Sequence, residues 1–194
     1  VALNNKIKGL KAKDLVGIPW MVAFALRADG WWLRSDIIWA KGNPMPEPVQ
    51  DRPTKSHEYI FLLSKSKKYF YDADAIAEPV TNSTINRLSQ NIEEQAGSDR
   101  IPPKRNKRTV WNINTKPYKE AHFATFPPKL PEICIKAGCP DGGTVLDPFA
   151  GAGTTLWVAE RLGVNSIGIE LNPDYCDIIR RRMAGLEMNL FLAK

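Results

Sequence analysis

Apolar residues at helical spacing predict four helices along the chain. Residues suited to helix ends mark their limits, since Asp29-Gly30 ends the first helix and Asn172-Pro173 begins the last. Gly138 and Gly163 are placed to end the two helices between them. The predicted helices cover residues 14–28, 127–138, 154–162 and 172–190.

Short runs of aromatic and β-branched residues predict the strands, and the strand over 166–170 is expected to be buried. Residues 144–190 follow the order strand, glycine-containing turn, helix, strand, helix, which is a βαβ unit. Such units build parallel sheets with helices on both faces, so the fold class is α/β. The predicted strands cover residues 31–41, 57–66, 144–149 and 166–170.

From about residue 78 to 116 the chain is polar, with little periodic apolar content, which favours a loop or a small recognition segment over core. Residues 100–108 of this segment carry five basic side chains and no acidic one. We therefore divide the chain into residues 1–79, a variable segment over 80–116, and residues 117–194.

Composition narrows the class of protein. The 194 residues are 43% hydrophobic and 25% charged, which is typical of a globular domain, and no run approaches the ~20 apolar residues that span a bilayer. Three irregularly spaced cysteines and two histidines favour neither a disulfide framework nor a metal site. Reduced cysteines are usual in the cytoplasm, the expected location. The net charge of +6 is weak evidence for a polyanionic partner.

The candidate ligand site is the turn between a predicted strand and helix at residues 145–155. Gly151 and Gly153 allow a tight turn and a close ligand approach, and Glu170, 23 residues beyond Asp147, is placed to bind a ribose diol. The pattern is neither G-x-G-x-x-G nor a P-loop. Asp147 would repel a pyrophosphate but suits a cation such as a sulfonium. The alternative to a ligand site is an ordinary glycine-rich turn of an α/β protein.

Three segments carry a resemblance to a known family. Residues 145–155 (VLDPFAGAGTT) resemble the S-adenosylmethionine motif of the N4-cytosine/N6-adenine DNA methyltransferase family, and residues 168–175 (GIELNPDY) resemble its acidic-strand motif. Residues 122–130 (HFATFPPKL) look like the third cofactor element, whose position before the glycine motif marks the permuted β-type order. Residues 36–72 are similar to family members from phages and mobile elements.

The resemblance implies the sheet of class I S-adenosylmethionine-dependent methyltransferases, which is Rossmann-like and here permuted. It also implies S-adenosylmethionine as cofactor and double-stranded DNA as substrate, in a bacterial or phage-encoded protein. For Phe149 and Phe126, the alternative to cofactor contact is packing in the hydrophobic core. The implied cofactor residues are Thr125, Phe126, Asp147, Phe149, Ala150, Gly151, Gly153, Thr154, Thr155, Glu170, Leu171 and Asn172.

The catalytic tetrapeptide of this family, D/N/S-P-P-Y/F/W, is absent from the sequence. Its polar side chain and a backbone carbonyl accept the amino hydrogens of a flipped base, and its aromatic ring stacks on that base. Ile101-Pro102-Pro103-Lys104 lacks both the polar residue and the ring. Phe126-Pro127-Pro128-Lys129 and Asp147-Pro148-Phe149 belong to the cofactor elements. The chain therefore supplies no catalytic residue.

In the β-type order the tetrapeptide precedes the segment that begins at Asp14, and the strands that follow it are central in the sheet. A start at Val1 without methionine suggests a chain that begins inside a longer protein. We expect central strands to be missing from the sheet of this chain. Three explanations stay open: a missing N-terminal segment, a degenerate binding module, or a second chain that supplies the missing part.

Candidate DNA contacts lie in two loops. Asn43 follows a strand end in a proline-rich loop and is placed to approach a flipped base. Lys104, Arg105, Lys107 and Arg108 are candidates for phosphate contact, with a solvated basic loop as the alternative. The tryptophans over 31–39 are more often core when they lie in a strand.

The sequence thus predicts a DNA amino-methyltransferase with its catalytic half outside the chain. A catalytically silent fragment that binds S-adenosylmethionine or DNA is the alternative. A methyltransferase that acts on RNA or protein is disfavoured by the motif order. The sequence does not decide between adenine and cytosine or between monomer and homodimer.

Overall fold

The computed structural model describes residues 9–81, 104–116 and 125–192 of the chain. The eight predicted helices and strands are all present, and most of their ends agree with the prediction to within a few residues; three short strands were not predicted. The helices are α1 (Ile18–Ala28), α2 (Lys129–Gly138), α3 (Thr154–Arg161) and α4 (Pro173–Leu192). The strands are β1 (Trp32–Ala40), β2 (His57–Ser64), β3 (Glu78–Pro79), β4 (Lys104–Arg105), β5 (Val110–Asn112), β6 (Thr144–Asp147) and β7 (Asn165–Gly168).

β1 is the central strand of the first sheet. It pairs antiparallel with β2 and parallel with β5, in the order β2-β1-β5. The Trp39 side chain is buried, and its Nε1–H donates to the Ile113 carbonyl at 2.7 Å. On α1, the Trp20 ring contacts Tyr59 and Phe61 of β2, with centroids 5.5 and 4.9 Å away. Trp39 and the rings around Trp20 are therefore packing residues, whereas Trp32 is 45% exposed.

The end of the predicted variable segment differs from the expectation of a loop. Residues 110–112 form β5, and Trp111 is only 5% exposed, in a core cluster with Ile76 and Ile133. The apolar residues around Trp111 form too short a run to give a periodic signal. The strand pairing that places Trp111 joins it to Trp39, which is distant in sequence. Residues 82–103 lie outside the described residues.

The predicted βαβ unit is present in the second half of the chain. β6 and β7 pair in parallel, and α3 connects them. Val158 and Ala159 of α3 are buried against Ile135 of α2. The opposite side of α2 packs on the first half through Ile133 and Ala137. α2 therefore holds the cofactor half against the β1–β2 hairpin.

Among the described residues, the strands form three separate sheets of three, two and two strands. β6 pairs there with β7 alone, so its other edge is open. Leu146 and Ile167 are 59% and 56% exposed, although 166–170 was predicted to be buried. That prediction was wrong for the Ile167 side chain because, in the part of the chain described, nothing covers this face. The gap agrees with the expected loss of central strands.

α1 carries a second uncovered apolar surface. Its Ile18, Met21 and Val22 side chains are more than half exposed, and their spacing places them on adjoining parts of one helix side. Within the described ranges, no helix is both long enough and apolar enough to cross a membrane.

Candidate cofactor site

The glycine turn links the end of β6 to the start of α3. The Ala150 N–H donates to the Ile169 carbonyl, and the Ile169 N–H donates to the Asp147 carbonyl, both at 2.9 Å. The Phe149 N–H donates to Asp147 Oδ1 at 3.1 Å. These bonds place the turn at the carboxyl ends of both parallel strands, where ligands of open α/β sheets bind.

The two glycines of the turn have positive φ angles but different surroundings. Gly151 has φ +51°, and a Cβ built there would have no atom within 4 Å. Gly153 has φ +73°, and its Cβ would lie 2.8 Å from Ile179 Cγ1. Gly151 therefore borders open space, where a ligand can approach, whereas Gly153 is required by packing against α4.

Glu170 holds the glycine turn with its carboxylate. The Gly151 N–H donates to Oε2 at 2.7 Å, and the Asn172 N–H donates to Oε1 at 2.8 Å. The Asn172 N–H is the main cause of a pKa below the usual glutamate range, and the Gly151 and Leu171 N–H groups lower that pKa further against an opposing desolvation. Glu170 is thus an ionised acceptor at the edge of the turn, as a ribose diol requires.

The predicted cofactor residues fall into two groups. Phe126, Asp147 and Thr155 line one cleft of about 710 Å³ between α2 and β6, which also reaches Ile60 of β2. Gly151 and Glu170 lie on the outer side of the turn, with Phe149 88% and Leu171 98% exposed. Within the described residues, Phe149 therefore does not pack in the core.

Three of the other predicted cofactor residues belong neither to the cleft nor to the group around Glu170. Ala150 and Thr154 are buried, with Thr154 at the start of α3, and Thr125 is half-buried ahead of α2. Asn172 precedes α4, and its Oδ1 accepts from the Asp174 N–H at 2.9 Å. That bond is an N-cap, as the sequence predicted for this helix.

The predicted phosphate contacts gather around an acidic residue that sequence reasoning missed. Glu78 forms ion pairs with Arg105, Lys107 and Arg108 at 3.6, 3.1 and 3.4 Å. No sequence signal marks this pairing, because Glu78 lies about 30 residues before its partners. Arg105 and Lys107 are half-buried, whereas Lys104 and Arg108 are exposed.

Asn43 has structural partners at both ends of its amide. The Thr115 N–H donates to Asn43 Oδ1 at 2.9 Å, and Nδ2 donates to the Thr115 carbonyl at 3.2 Å. The side chain thereby fastens the loop after β1 to the segment after β5. Its predicted contact with a flipped base stays a prediction.

The Glu78 cluster makes a pH-dependent contribution to stability. Partial burial raises the pKa of Glu78, but the hydrogen bonds and charges of Lys107 and Arg108 outweigh burial and hold that pKa below its usual range. A lowered folded-state pKa stabilises the fold above the unfolded value near 4.5, and the contribution is lost as pH falls through the folded value.

We expect Glu78→Gln to reduce the free energy of unfolding at pH 7 by about 1–2 kcal/mol, or Tm by roughly 3–6 °C. The difference from the unmodified chain should shrink as the pH falls below about 4, because protonated Glu78 no longer attracts its partners. Thermal unfolding followed by circular dichroism checks this, with Glu160→Gln at an exposed position of α3 as control. Equal Tm values for both variants at pH 7 would contradict it.

Comparison with known proteins agrees with this geometry. The family model for DNA methylases of the N6/N4 type matches residues 3–181. The chain belongs to this family. The Type II methyltransferase M.SmaI from Serratia marcescens is 51% identical to the methylase chain over 176 residues, which cover 91% of the chain and 54% of M.SmaI. The methylase chain spans about half the length of the curated relatives it matches.

Solved structures confirm the predicted class I methyltransferase fold. The cytosine-N4-specific PvuII DNA methyltransferase superposes with a TM-score of 0.64 at 22% identity, over 91% of the methylase chain and 59% of its own. A Thermus thermophilus protein crystallised with S-adenosyl-L-methionine gives a TM-score of 0.54 at 26% identity, over 86% and 59%.

Proposed function

We propose that the chain is the cofactor-binding part of a site-specific DNA methyltransferase, located in the cytoplasm. The reaction transfers a methyl group from S-adenosylmethionine to N6 of adenine or N4 of cytosine in double-stranded DNA. One observation carries the proposal: the Gly151 backbone borders open space beside the ionised Glu170 carboxylate, at the carboxyl ends of β6 and β7.

The residues of the turn fit the parts of this cofactor. Glu170 accepts hydrogen bonds, which suits the two ribose hydroxyls, and exposed Leu171 and Phe149 offer apolar contact to flat or hydrophobic groups. Asp147 supplies a negative charge beside the cleft for the positive end of the ligand. Backbone N–H groups at the start of α3 suit a carboxylate.

The chain contributes binding and orientation to the reaction. When bound, S-adenosylmethionine supplies a methyl group on a sulfonium centre. The rigid turn, fixed by hydrogen bonds to both strands, holds the ligand in one place, and transfer between two held reactants depends mainly on positioning. The tetrapeptide, which this chain lacks, is the group that would accept the amino hydrogens of the base.

We infer that a segment carrying the tetrapeptide completes the sheet at the open edge of β6. The exposed face of Leu146 and Ile167 and the cleft between β6 and α2 offer an unpaired strand edge and an apolar surface to such a segment. A preceding segment of the same polypeptide or a separate chain would serve equally. A second copy of this chain is the rival occupant, and sedimentation of the chain alone distinguishes it.

Titration calorimetry with S-adenosylmethionine tests the cofactor assignment. We expect Asp147→Ala and Asp147→Asn to weaken binding by roughly 10–100-fold, because each removes the negative charge beside a cationic ligand. Asp141→Ala, in the exposed turn before β6, is the matched control and should bind normally. A folded chain that does not bind the ligand would defeat the proposal.

DNA binding should depend on salt through the exposed basic residues. We expect Lys104→Ala and Arg108→Ala each to reduce the slope of log K against log salt by about 1 per lost phosphate contact. Lys67→Ala, in the turn after β2, serves as control. Fluorescence anisotropy with a duplex between about 50 and 200 mM salt measures the slope. If neither variant changes the slope of log K against log salt, Lys104 and Arg108 do not contact phosphate and belong to a solvated basic loop.

A catalytically silent binding module, the alternative from the sequence, is not favoured, because the chain is about 50% identical to parts of two Type II methyltransferases. Exposure of the cofactor turn does not separate the two functions, because binding needs no tetrapeptide. The two functions separate when the missing part is supplied, since only a methyltransferase then acts on DNA.

A further inference from the structure

α4 supports the glycine turn from the side away from its open face. Ile179 and Arg182, three residues apart, share one side of α4. Ile179 lies against Gly153, where a Cβ would approach Ile179 Cγ1 to 2.8 Å. The Arg182 guanidinium donates from Nη1 to the Ala152 carbonyl at 3.0 Å and to Thr154 Oγ1 at 3.1 Å.

These contacts fix the peptide group between Ala152 and Gly153 at both of its ends. The carbonyl oxygen accepts from Arg182, and the N–H donates to the Ala150 carbonyl at 2.8 Å. Because the C=O and N–H of a trans peptide point in opposite directions, this pair of bonds leaves the plane little freedom to rotate. The orientation of this peptide plane in turn determines the backbone conformation of Gly153 and the position of the first turn of α3.

The Arg182 side chain is itself held in place. Its guanidinium lies over the Trp157 ring of α3, 5.1 Å from the centroid, and the Arg161 guanidinium lies over the same ring at 4.7 Å. Stacking on an aromatic ring restricts the motion of the planar guanidinium group, and a charged donor forms stronger hydrogen bonds than a neutral one. Lysine cannot reproduce both the stacking and the two bonds.

We propose that Arg182 is a positioning residue for S-adenosylmethionine, acting through the Ala152 carbonyl and Thr154 on the shape of the glycine turn. The proposal rests on the proposed function, in which the cofactor binds at this turn. Arg182 acts from behind the turn, so its loss should leave the ligand-facing groups of Gly151 and Glu170 in the chain but less well placed.

The test compares Arg182→Met, Arg182→Lys and the control Arg181→Met, an exposed neighbour on α4. Calorimetry of the full chain should show about tenfold weaker S-adenosylmethionine binding for Arg182→Met, an intermediate value for Arg182→Lys, and no change for Arg181→Met. Hydrogen exchange should quicken at residues 150–155 in Arg182→Met alone, without ligand. If Arg182→Met does not fold, Arg182→Lys, which keeps the charge, is compared with Arg181→Met instead.

In a chain joined to its catalytic part, a positioning role raises KM for the cofactor while kcat changes little. Equal affinity and equal exchange in Arg182→Met and Arg181→Met would overturn the proposal while cofactor binding stands. An unmodified chain that fails to bind S-adenosylmethionine would overturn the proposed function and this inference with it. Faster exchange at 150–155 without any loss of affinity would also overturn it.

Discussion

Methyl transfer to DNA is expected to be undetectable with this chain alone and to rise by about a thousandfold or more once the missing catalytic part is supplied. The expectation follows from the absent tetrapeptide, because loss of one transition-state hydrogen bond alone costs roughly 10²–10³ in rate. The part of M.SmaI that the chain does not match is a suitable donor, since the matched regions are 51% identical. Transfer of tritiated methyl to DNA measures the outcome.

Two variants make this experiment specific for the open edge of β6. Leu146→Lys should leave the Tm of the isolated chain nearly unchanged, because that side chain is 59% exposed. It should abolish activity in the joined protein, where the same face becomes buried and an unpaired charge is costly. Asp141→Lys, in the exposed turn before the strand, is the control. Full activity of the joined Leu146→Lys protein would show that the added part lies elsewhere.

Alanine at Gly153 and alanine at Gly151 are expected to damage different properties of the chain. Both positions have positive φ, which costs a non-glycine residue about 1–2 kcal/mol. At Gly153 the added methyl also meets Ile179, and overpacking adds roughly 1–3 kcal/mol. We expect Gly153→Ala to lower Tm by about 5–15 °C.

Gly151→Ala should instead weaken S-adenosylmethionine binding by roughly 10–100-fold, with a smaller loss of Tm. The added methyl meets no protein atom and projects into the space where the ligand approaches. Calorimetry and thermal unfolding of both variants separate the two effects, so each variant is the control for the other. The opposite assignment, with Gly153→Ala stable and Gly151→Ala unfolded, would contradict the geometry of the turn.

Local patterns were sufficient to predict the cofactor half of the fold. The Gly151–Gly153 turn, the N-cap at Asn172 and Gly163 after α3 are each encoded by a few neighbouring residues, with positive φ at the three glycines. The predicted βαβ unit is confirmed because it depends on this local chemistry. Gly138, predicted to end α2, is instead its last helical residue without positive φ, and Cys139 is the C-cap.

Features that depend on distant contacts could not be predicted in the same way. Trp111 enters the core through a three-residue strand beside β1, and Glu78 meets its basic partners across about 30 residues. Arg182 gave no signal because its acceptors, Ala152 and Thr154, lie about 30 residues earlier. Ile167 is exposed because, among the described residues, no other element packs on its side of the strand. The sequence of a strand does not specify which elements will pack on it.

The short β3–β4 ladder has a consequence for the length of chain that connects its two strands. Glu78 pairs with Arg105 and Pro79 with Lys104, so residues 81 and 104 continue from two adjacent strands, whatever lies between them. Doubling the length of a connection adds only about 0.6 kcal/mol to its closure cost. We therefore expect the sheet and the glycine turn to keep their own contacts when the length of the chain between these two strands is changed.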